Sequence, residues 1–419
     1  MRLLVYPHDL QIGGSQINAI DLAAAAAEAG HEVHVYGIPG PLVDLVDQRG
    51  LHFVPAHALR NRPAPTRVAQ LASLARTLRL DLIHSYEWPP CLDAWLGAGL
   101  VHGVPVLCSV LSMALSPLVP RSVPLVMGTL DLAQQARLRH GAEVWALEPP
   151  IDVAGDHPGI DGSGLRQQLG VGHHDLLVVG VSRLAIDLKL DALVRAIDAA
   201  DLLGSRYPLR LVLVGTGEAH PALATRAGQV NQRHKREVVT LLGPLLDPRP
   251  AYAAADVVVA MGSSALRAMA MGRAVVVQGE AGFSAVFDRS TLPLFLRQGF
   301  YGVSDDAPGA ARLADQLAEL LGDEGRRAEL GRLGRRVVDE RFSLTRAAGI
   351  LQGIYQQVLT RSTKPRAHDA LVCLAGAIKL EIDNHNPWQT RRHSLYKRSL
   401  LAAASEGLWP PAACRPSSS

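Results

Sequence analysis

Residues 3–37 read LLVYPHDLQIGGSQINAIDLAAAAAEAGHEVHVYG, and this stretch decides the fold class. An aliphatic run leads through a Gly-Gly turn into an alanine-rich helical segment, which Gly30 closes in a C-cap position. A second strand-like run, HEVHVYG, follows directly. This strand–helix–strand order predicts a parallel sheet with helices packed against it.

The same alternation continues along most of the chain. Strands buried on both faces of a parallel sheet are aliphatic runs, which explains why aromatic residues make up only 5% of the sequence. Residues 148–164, EPPIDVAGDHPGIDGSG, interrupt the alternation, and it then restarts. We therefore predict an α/β protein with two doubly wound parallel-sheet domains, residues 1–148 and 165–342, joined by a linker over residues 149–164.

The chain after residue 342 departs from this alternation. Residues 343–361 predict one last regular helix. In the extension over residues 362–419, WQTRRHSLYKRSLLAAA (388–404) predicts an amphipathic helix, and PPAACRPSSS (410–419) predicts disorder. A basic helix can lie on an anionic membrane, but packing against its own domain is the favoured interpretation, and a homodimer contact stays open.

Composition excludes several classes of protein. A chain of 419 residues with 48% hydrophobic and 19% charged residues is typical of a folded protein with two domains. The net charge of +3 gives no electrostatic reason to expect nucleic-acid binding. The four cysteines lack the spacing of a disulfide framework or a zinc site, which favours the reducing cytoplasm. We expect no signal peptide and no membrane-spanning segment.

Ligands of parallel α/β sheets bind at the carboxyl ends of strands, so the residues that follow each strand are the first candidates. The first such turn holds His8, Asp9, Gly13 and Gly14. Glycines let backbone N–H groups approach a ligand, and the helix that follows offers the positive end of its dipole. The alternative is a tight turn without a ligand. The turn is neither a Walker loop nor a G-x-G-x-x-G fingerprint.

A pair of cations follows the first strand of the second domain. Arg183 and Lys189 stand in GVSRLAIDLKLDALV, between a buried strand and a helix. Arginine binds a diphosphate through two donors and lysine as a point charge, so the pair is suited to a diphosphate leaving group. The alternative is that Lys189 is an ordinary solvated helix residue.

Three further turns of the second domain carry candidate donor-binding residues. Glycine and serine N–H groups suit phosphates, although one of the two serines is expected to cap a helix. Arg267 supplies a third cation or a ribose contact, or is a surface arginine, and Glu280 binds a sugar hydroxyl or faces solvent. The glycine and serine candidates are Gly215, Thr216, Gly217, Gly262, Ser263 and Ser264.

The order of these motifs resembles the retaining GT-B glycosyltransferases of family four, over roughly residues 1–360. The matching pieces are GGSQ…LAAAAAEAGHEVHVYG, DLIHS, HGVPVLCS, VSRL…K…LVRAI, LVLVGTGE, VVTLLGPL and DVVVAMG…LRAMAMGRAVVV. Each piece is loose, but their order is specific. The resemblance implies two Rossmann-like domains facing a central cleft, with the acceptor on the N-terminal domain and the nucleotide sugar on the C-terminal domain.

The resemblance also assigns individual residues. It implies that Arg183 and Lys189 hold the diphosphate, that Gly13 and Gly14 lie under the phosphates or the sugar, and that the helix over 343–361 crosses back to the N-terminal domain. The sequence departs from the family pattern where Arg267 replaces the ribose-binding glutamate and the preceding MGSSAL contains no second glutamate. Leu111 and Tyr86 stand where the family usually has histidines.

These observations predict a glycosyltransferase that moves a sugar from a nucleotide-diphosphate donor to an acceptor hydroxyl or amine, with retention and without a metal or cofactor. Fixed positive charge on Arg183 and Lys189 would stabilise the leaving diphosphate. Glu87, His84 and His8 are candidate general bases, and His8 is the choice because imidazole titrates near neutral pH. The candidate acceptor-binding residues are Asp9, His84, Glu87 and Ser109.

Two alternatives remain open at this point: a non-catalytic nucleotide-sugar-binding or partner protein, and a GT-B sugar-nucleotide epimerase. The acceptor is expected to be a small molecule or a glycan, and the sequence does not specify the sugar or the nucleotide base. The abundance of Ala, Arg, Leu and Gly is typical of a GC-rich genome, for which specialised metabolites and envelope glycans are both reasonable acceptors.

Overall fold

The computed structural model describes residues 1–58, 62–172, 174–304, 309–361 and 367–406. These residues form two compact units. Unit 1 contains Met1–Asp152 and Phe342–Thr390, and unit 2 contains Val153–Arg341 and the described residues from Arg391 onward. The chain therefore leaves unit 1 after Asp152 and returns to it at Phe342.

Unit 1 is built on a parallel sheet, in which seven strands pair in the order β3-β2-β1-β4-β5-β6-β7 within the described residues. The strands are β1 (Arg2–Pro7), β2 (Glu32–Gly37), β3 (His52–Pro55), β4 (Leu82–Tyr86), β5 (Val106–Val110), β6 (Leu125–Met127) and β7 (Val144–Ala146). The helices between them are α1 (Gly14–Glu28), α2 (Val43–Gln48), α3 (Pro65–Thr77), α4 (Trp88–Ala94), α5 (Leu100–His102) and α6 (Leu130–Arg137), with a π-helical turn over Trp95–Gly99.

Unit 2 repeats this arrangement with six described strands in the order β10-β9-β8-β11-β12-β13. The strands are β8 (Leu176–Val181), β9 (Leu209–Val214), β10 (Val239–Gly243), β11 (Val257–Ala260), β12 (Ala274–Gln278) and β13 (Ser284–Val286). The helices are α7 (Ser163–Gln168), α8 (Leu190–Leu203), α9 (His220–His234), α10 (Arg249–Ala254), α11 (Ser263–Ala270), α12 (Leu292–Gln298), α13 (Gly309–Gly322) and α14 (Glu324–Val337). The sheet is parallel, as predicted, except at its edge, where β13 is antiparallel to β12.

The strand sequences are aliphatic because helices cover both faces of each sheet. In β1, the run Leu3–Tyr6 is buried along its whole length, and Val257–Ala260 in β11 is buried in the same way. Helix α1 ends next to Gly30, whose φ of +86° is the left-handed conformation that glycine supplies at a helix terminus. The predicted strand–helix rhythm is therefore observed in both units.

A further helix, α15 (Leu344–Thr360), belongs to unit 1 and packs against α1. Its buried face includes Leu351, Ile354 and Tyr355. Where the chain returns to unit 1, a backbone hydrogen bond joins it to the segment that leaves the unit: the N–H of Ile151 donates to the carbonyl of Phe342 at 2.7 Å. Residues 343–361 thus form the helix that the sequence indicates, in contact with the N-terminal unit.

Residues 153–162, within the predicted linker, pack as part of unit 2. Arg335 of α14 donates to the carbonyls of Val153 and Asp156, at 3.1 and 2.8 Å. A Cβ at Gly162 would lie 2.2 Å from the backbone nitrogen of Ala254, so this glycine allows close backbone packing. The segment is therefore held against its unit along its length, and α7 begins already at Ser163.

Two helices occupy the described part of the C-terminal extension, α16 (Ala367–His385) and α17 (Pro387–Glu406). Helix α17 covers the predicted amphipathic segment, and Leu400 and Leu401 pack on the hydrophobic core of unit 2. The prediction of disorder for residues 410–419 lies outside the described residues. Within the described chain, none of the helices combines the length and the apolar character needed to cross a bilayer.

Candidate functional site

The strand order reverses once in each sheet, and ligands of open α/β sheets bind at this switch point. In unit 1 the switch point lies between β1 and β4, and in unit 2 it lies between β8 and β11. The turns that follow these four strands carry most of the residues predicted from the sequence. Each unit therefore offers one candidate site, at the carboxyl edge of its sheet.

Arg183 and Lys189 follow β8, at the switch point of unit 2. Arg183 is exposed, and Lys189 is half-buried at the residue before α8. Neither side chain forms a hydrogen bond or an ion pair with the residues that the structure describes. Burial lowers the pKa of Lys189 to about 8, and the neighbouring charge of Arg183 acts in the same direction, whereas Glu280 opposes them. The lysine is therefore mostly charged at neutral pH, and the pair has no counter-charge bonded to it.

A pocket lies beside Lys189 at the carboxyl ends of β8 and β11. Its walls come from both strands and from the start of α8, with one polar side chain contributed by β12. The residues that define it include Gly180, Ser182, Lys189, Val259, Met261 and Gln278. The cavity is small, about 20 Å³, and mostly apolar, and Lys189 but not Arg183 contributes to its wall.

Gly215 and Gly217 bring two turns of unit 2 into backbone contact. A Cβ at Gly215, where φ is +142°, would lie 1.9 Å from the carbonyl oxygen of Ser182, and a Cβ at Gly217 would lie 2.3 Å from that of Leu184. The N–H of Leu184 donates to the carbonyl of Thr216 at 2.9 Å. The glycines therefore support the loop that carries Arg183. The Thr216 side chain is exposed on this turn.

The start of α11 differs from the expected serine cap. Gly262, with φ of +61°, occupies the N-cap position, and no side chain caps the helix in the described structure. Ser264 instead donates to the carbonyl of Val181 at 2.8 Å and shares a 2.9 Å hydrogen bond with Tyr252. The expected capping role is thus wrong, because this hydroxyl ties α11 to the end of β8. Ser263 is partly exposed next to it.

Arg267 is committed to an ion pair. Its Nε and Nη2 donate to Asp156 Oδ2 and Oδ1, at 2.8 and 3.0 Å. The Asp156 side chain is 5% exposed and that of Arg267 is 24% exposed. Because a buried carboxylate balances its charge, Arg267 is neither the expected free third cation nor a solvated surface arginine.

Glu280 lies in the turn between β12 and β13. Its carboxylate accepts a hydrogen bond from the hydroxyl of Tyr301, and its backbone bridges to Val303. The buried Arg195 supports this turn by donating to the carbonyl of Gly279 at 2.7 Å. Burial and the charge of Arg183 lower the pKa of Lys189, and the negative charge of Glu280 acts in the opposite direction. The structure therefore places Glu280 in the electrostatic surroundings of the cation pair.

In unit 1, the turn after β1 is organised around Asp9. One carboxylate oxygen accepts from the N–H of Gln11 and from Nε2 of Gln16, both at 3.1 Å, and the other lies 3.2 Å from Nδ1 of His8. His8 is 40% exposed in its side chain, so a carboxylate orients a ring that solvent reaches. Gly13 is extended at the N-cap of α1 and Gly14 is its first residue, which leaves the first turn of the helix without a side-chain cap.

Glu87 follows β4 in an unusual backbone conformation. Its φ of +68° and ψ of +169° lie in a region that is otherwise almost confined to glycine. Its carboxylate accepts from the N–H groups of Leu111 and Ser112, at 2.8 and 2.9 Å, and from the Ser112 hydroxyl at 2.8 Å. The side chain therefore joins the ends of β4 and β5. The strained backbone is held in place by these three bonds.

His84 and Ser109 lie inside unit 1. The imidazole is 1% exposed, with Nε2 at 2.8 Å from Ser109 Oγ and Nδ1 at 2.8 Å from Tyr355 Oη. Burial lowers the pKa of His84 to about 3, so the ring is neutral at physiological pH. The expectation that these two side chains contact an acceptor is not met, because their polar atoms are enclosed and bonded to each other and to α15.

Unit 1 also contains a buried ionic cluster that the sequence does not predict. Arg62 Nη1 donates to Asp93 Oδ2 at 3.0 Å, Tyr6 donates to the same oxygen at 3.2 Å, and Arg67 Nη1 lies 3.1 Å from Tyr6 Oη. Two guanidinium groups thus share one carboxylate. Burial raises the pKa of Asp93, and the two arginines counteract this effect.

One guanidinium nitrogen of Arg62 is not used by the hydrogen bonds of this cluster. The Arg62 side chain is 9% exposed, and its Nη2 is buried without a hydrogen-bond partner among the described residues. The guanidinium lies 5.6 Å from the centre of the Trp88 ring. Trp88 is the residue that follows Glu87 in the chain. Residues His52–Pro55 do not form an aliphatic run, so the sequence predicts neither β3 nor a site in the loop that follows it.

Two glycosyltransferase domain families match this chain in sequence. Glycosyltransferase Family 4 matches residues 12–146, and Glycosyl transferases group 1 matches residues 175–323. The D-inositol 3-phosphate glycosyltransferase of Xylanimonas cellulosilytica is 26% identical over 401 residues, covering 83% of this chain and 93% of the relative. The enzyme of the same name from Rhodococcus erythropolis is 27% identical over 388 residues, covering 78% and 85%.

Solved structures share the fold at lower identity. A glycosyltransferase from Rickettsia africae has a TM-score of 0.69 at 14% identity, over 86% of this chain and 99% of its own. Anabaena HepE in complex with UDP and glucose has a TM-score of 0.68 at 19% identity, over 85% and 99%. Since glycosyltransferase domains match both halves in order and each half folds as a Rossmann-like unit, this chain belongs to the GT-B glycosyltransferases, enzymes that transfer a sugar from a nucleotide-sugar donor.

Proposed function

We propose that the chain transfers a sugar from a nucleoside-diphosphate donor, held by Arg183 and Lys189, to a hydroxyl of an acceptor that carries an anionic group. The transfer proceeds with retention and without a metal ion. The observation that carries this proposal is the cation pair at the switch point of unit 2, which makes no ion pair with the described residues. Two cations in one loop that lack a bonded counter-charge are suited to a ligand with two or more negative charges.

The chemical role of the pair follows from where charge develops. As the bond between sugar and diphosphate breaks, negative charge accumulates on the leaving phosphate oxygen. Arg183 and Lys189 stabilise that charge through donors already fixed in place, which is the usual form of the largest catalytic contribution. Glu280, held by Tyr301 and close enough to influence Lys189, is the candidate to bind a hydroxyl of the transferred sugar.

The acceptor side of the proposal rests on Arg62. A buried guanidinium nitrogen without a partner is costly, and an oxygen of a phosphate or carboxylate would satisfy it. The relatives named D-inositol 3-phosphate glycosyltransferase act on an acceptor of this charge class. His8, oriented by Asp9, is the candidate to accept the proton of the attacking hydroxyl.

The same proposal places the enzyme in the cytoplasm. Three cysteines of the described chain, Cys91, Cys108 and Cys373, are free and buried thiols, as is usual in a reducing compartment. The acceptor is a small molecule or a glycan unit, for which both specialised metabolites and envelope glycans provide anionic examples.

Thermal melting in the presence of UDP, GDP, ADP or dTDP tests the donor site. A nucleotide at a hundred times its dissociation constant stabilises by about 2.7 kcal/mol, which raises Tm by several degrees. We expect one nucleotide to shift the wild type and to leave the Arg183→Ala/Lys189→Ala variant unchanged. Arg332→Ala, which removes an exposed cation of α14, is the matched control and should respond like the wild type. No shift with any of the four nucleotides would overturn the donor assignment.

Product analysis then separates transfer from the other reactions of this fold. Wild-type protein with UDP-glucose and D-inositol 3-phosphate should form a new glycoside only when both compounds are present. Free sugar or nucleotide released from the donor alone would instead indicate an epimerase or a hydrolase. The anomeric configuration of the product, read by NMR coupling constants, decides whether the transfer is retaining.

A further inference from the structure

Helix α17 contacts the donor loops of unit 2 through Lys397. Its Nζ lies 3.4 Å from Asp187 Oδ2, and it lies 3.3 and 3.5 Å from the two carboxylate oxygens of Glu218. Asp187 belongs to the loop that carries Arg183 and Lys189. Glu218 follows the glycine turn that supports this loop from β9. One lysine of the C-terminal extension therefore joins both turns next to the proposed diphosphate site.

The helix is anchored independently of Lys397. Leu400 and Leu401 pack on the hydrophobic core of unit 2. The carbonyl of Ala404 accepts from Arg226 Nη1 at 2.8 Å, and Arg226 is itself bonded to Asp198 at 2.6 Å. Because these contacts lie one to two helical turns beyond Lys397, replacing the lysine should leave the helix in place. The helix also lies outside the residues that the two family domains match.

The contacts of Lys397 have an electrostatic consequence for the donor. Asp187 and Glu218 are carboxylates in the loops that must receive an anionic diphosphate, and unmatched carboxylates there repel it. Lys397 offsets one of these two negative charges. Burial works against its positive charge, but the hydrogen bond to Glu218 and the charge of Asp187 outweigh it and raise the pKa of Lys397. Glu218 also accepts the N–H of Ile186 at 3.4 Å, so the same contact supports the loop backbone.

We propose that Lys397 is a positioning residue for the donor: it joins the turns that contain Asp187 and Glu218 and offsets one of their two negative charges, so that the C-terminal helix tunes the affinity for the nucleoside diphosphate. The inference rests on the proposed donor site at Arg183 and Lys189. Lys397 itself is not required to touch the nucleotide. Its effect reaches the ligand through the loop and the local potential.

Isothermal titration of whichever of UDP, GDP, ADP and dTDP binds the wild type tests this inference. Lys397→Met should raise the Kd about three- to fivefold, the effect of an exposed charge pair of ordinary strength. Lys397→Arg should restore the wild-type Kd. Arg398→Met, one residue away on an exposed face, removes the same charge without these contacts and should leave the Kd unchanged.

A second set of variants distinguishes charge compensation from a loss of helix packing. In the Lys397→Met background, Asp187→Asn with Glu218→Gln removes the unmatched carboxylates and should bring the Kd back towards the wild-type value. A purely structural role of the lysine predicts no such recovery. If the wild type binds a nucleotide and Lys397→Met binds it equally well, the inference is wrong while the donor site stands. If the wild type binds none of the four nucleotides, the donor site itself is wrong.

Discussion

Arg267 and Asp156 form a two-point ion pair, with Nε and Nη2 of the arginine at 2.8 and 3.0 Å from the two carboxylate oxygens. Asp156 comes from the segment that joins the two α/β halves in sequence, and Arg267 stands where the family resemblance places a ribose-binding glutamate. The departure from the family pattern therefore has a structural partner. A glutamate at position 267 would meet the buried carboxylate of Asp156, so the arginine and the aspartate belong together.

Breaking this pair should destabilise unit 2. Arg267→Glu, which restores the family residue, places two carboxylates together and should lower the free energy of unfolding by about 3 kcal/mol, as expected for a buried charge left without its partner. Urea denaturation measures the loss. The charge-reversed double variant, Arg267→Glu with Asp156→Arg, should recover much of it. Equal stability of the single and double variants would show that the pair is not coupled.

The fold could be predicted from the sequence because most strands are buried on both faces and are therefore aliphatic runs. Their aliphatic runs, the Gly-Gly turn and the helix stop at Gly30 are local signals, and each predicts its own element without knowledge of its neighbours. Short strands escaped this reasoning. The edge strand β3 (His52–Pro55) contains only one aliphatic residue, Val54, and β13 spans only Ser284–Val286, so neither produces an aliphatic run.

Candidate site residues can be chosen from the sequence where they depend on position between a strand and a helix, but not where they depend on tertiary contacts. Arg183 and Lys189 lie in the loop between β8 and α8, and their role in binding the donor stays a prediction. That Gly215 and Gly217 are needed for backbone contact was not predictable, because the contact joins turns separated by more than thirty residues. Arg62 lies in the loop before α3, and its partner Asp93 lies in α4, so their ion pair is not predictable from the sequence either.

Arg62 should determine the preference of the enzyme for an acceptor that carries a negative charge. With a donor at saturation, Arg62→Gln is expected to lower kcat/KM for D-inositol 3-phosphate by about ten- to a hundredfold, because a charge-assisted hydrogen bond is lost. Activity towards unphosphorylated inositol should change much less. Arg76→Gln, an exposed arginine of α3, is the matched control. An equal loss with both acceptors would assign Arg62 to the fold rather than to the anion.

His84 should make the protein sensitive to acid. Its folded-state pKa of about 3 lies below the ordinary value of 6.5, so the unfolded chain binds a proton that the folded chain does not. The stability due to neutral His84 is complete above pH 6.5 and is lost progressively as the pH falls towards 3. Between pH 7 and pH 5 we expect protonation of His84 in the unfolded chain to lower the free energy of unfolding by about 2 kcal/mol.

Urea denaturation at several pH values tests this expectation. The His84→Gln variant keeps a polar side chain that can bond Ser109 and Tyr355 but does not titrate. Its stability should therefore fall less between pH 7 and 5 than that of the wild type, even if it is less stable at pH 7. Parallel pH profiles for the two proteins would show that His84 does not remain neutral in the folded chain.

Lys189 should limit nucleotide binding at alkaline pH. Its pKa of about 8 lies below the ordinary value of 10.5, so it loses its proton within a range where other lysines stay charged. The affinity for the nucleoside diphosphate should fall as the pH rises above 8, although the bound anion will shift the loss upward. Stability responds in the opposite direction: between pH 8 and 10.5 the unfolded chain binds more protons at this residue, so its contribution to the free energy of unfolding rises with pH.

The Kd measured at pH 7, 8, 9 and 10 separates Lys189 from general effects of alkali. Lys189→Arg keeps a positive charge throughout this range and should show a much flatter profile than the wild type. Lys189→Met should bind weakly at every pH and show little further loss. If the wild type and Lys189→Arg weaken in parallel, the titrating group is not Lys189, and the charge that receives the diphosphate must then come from Arg183 alone.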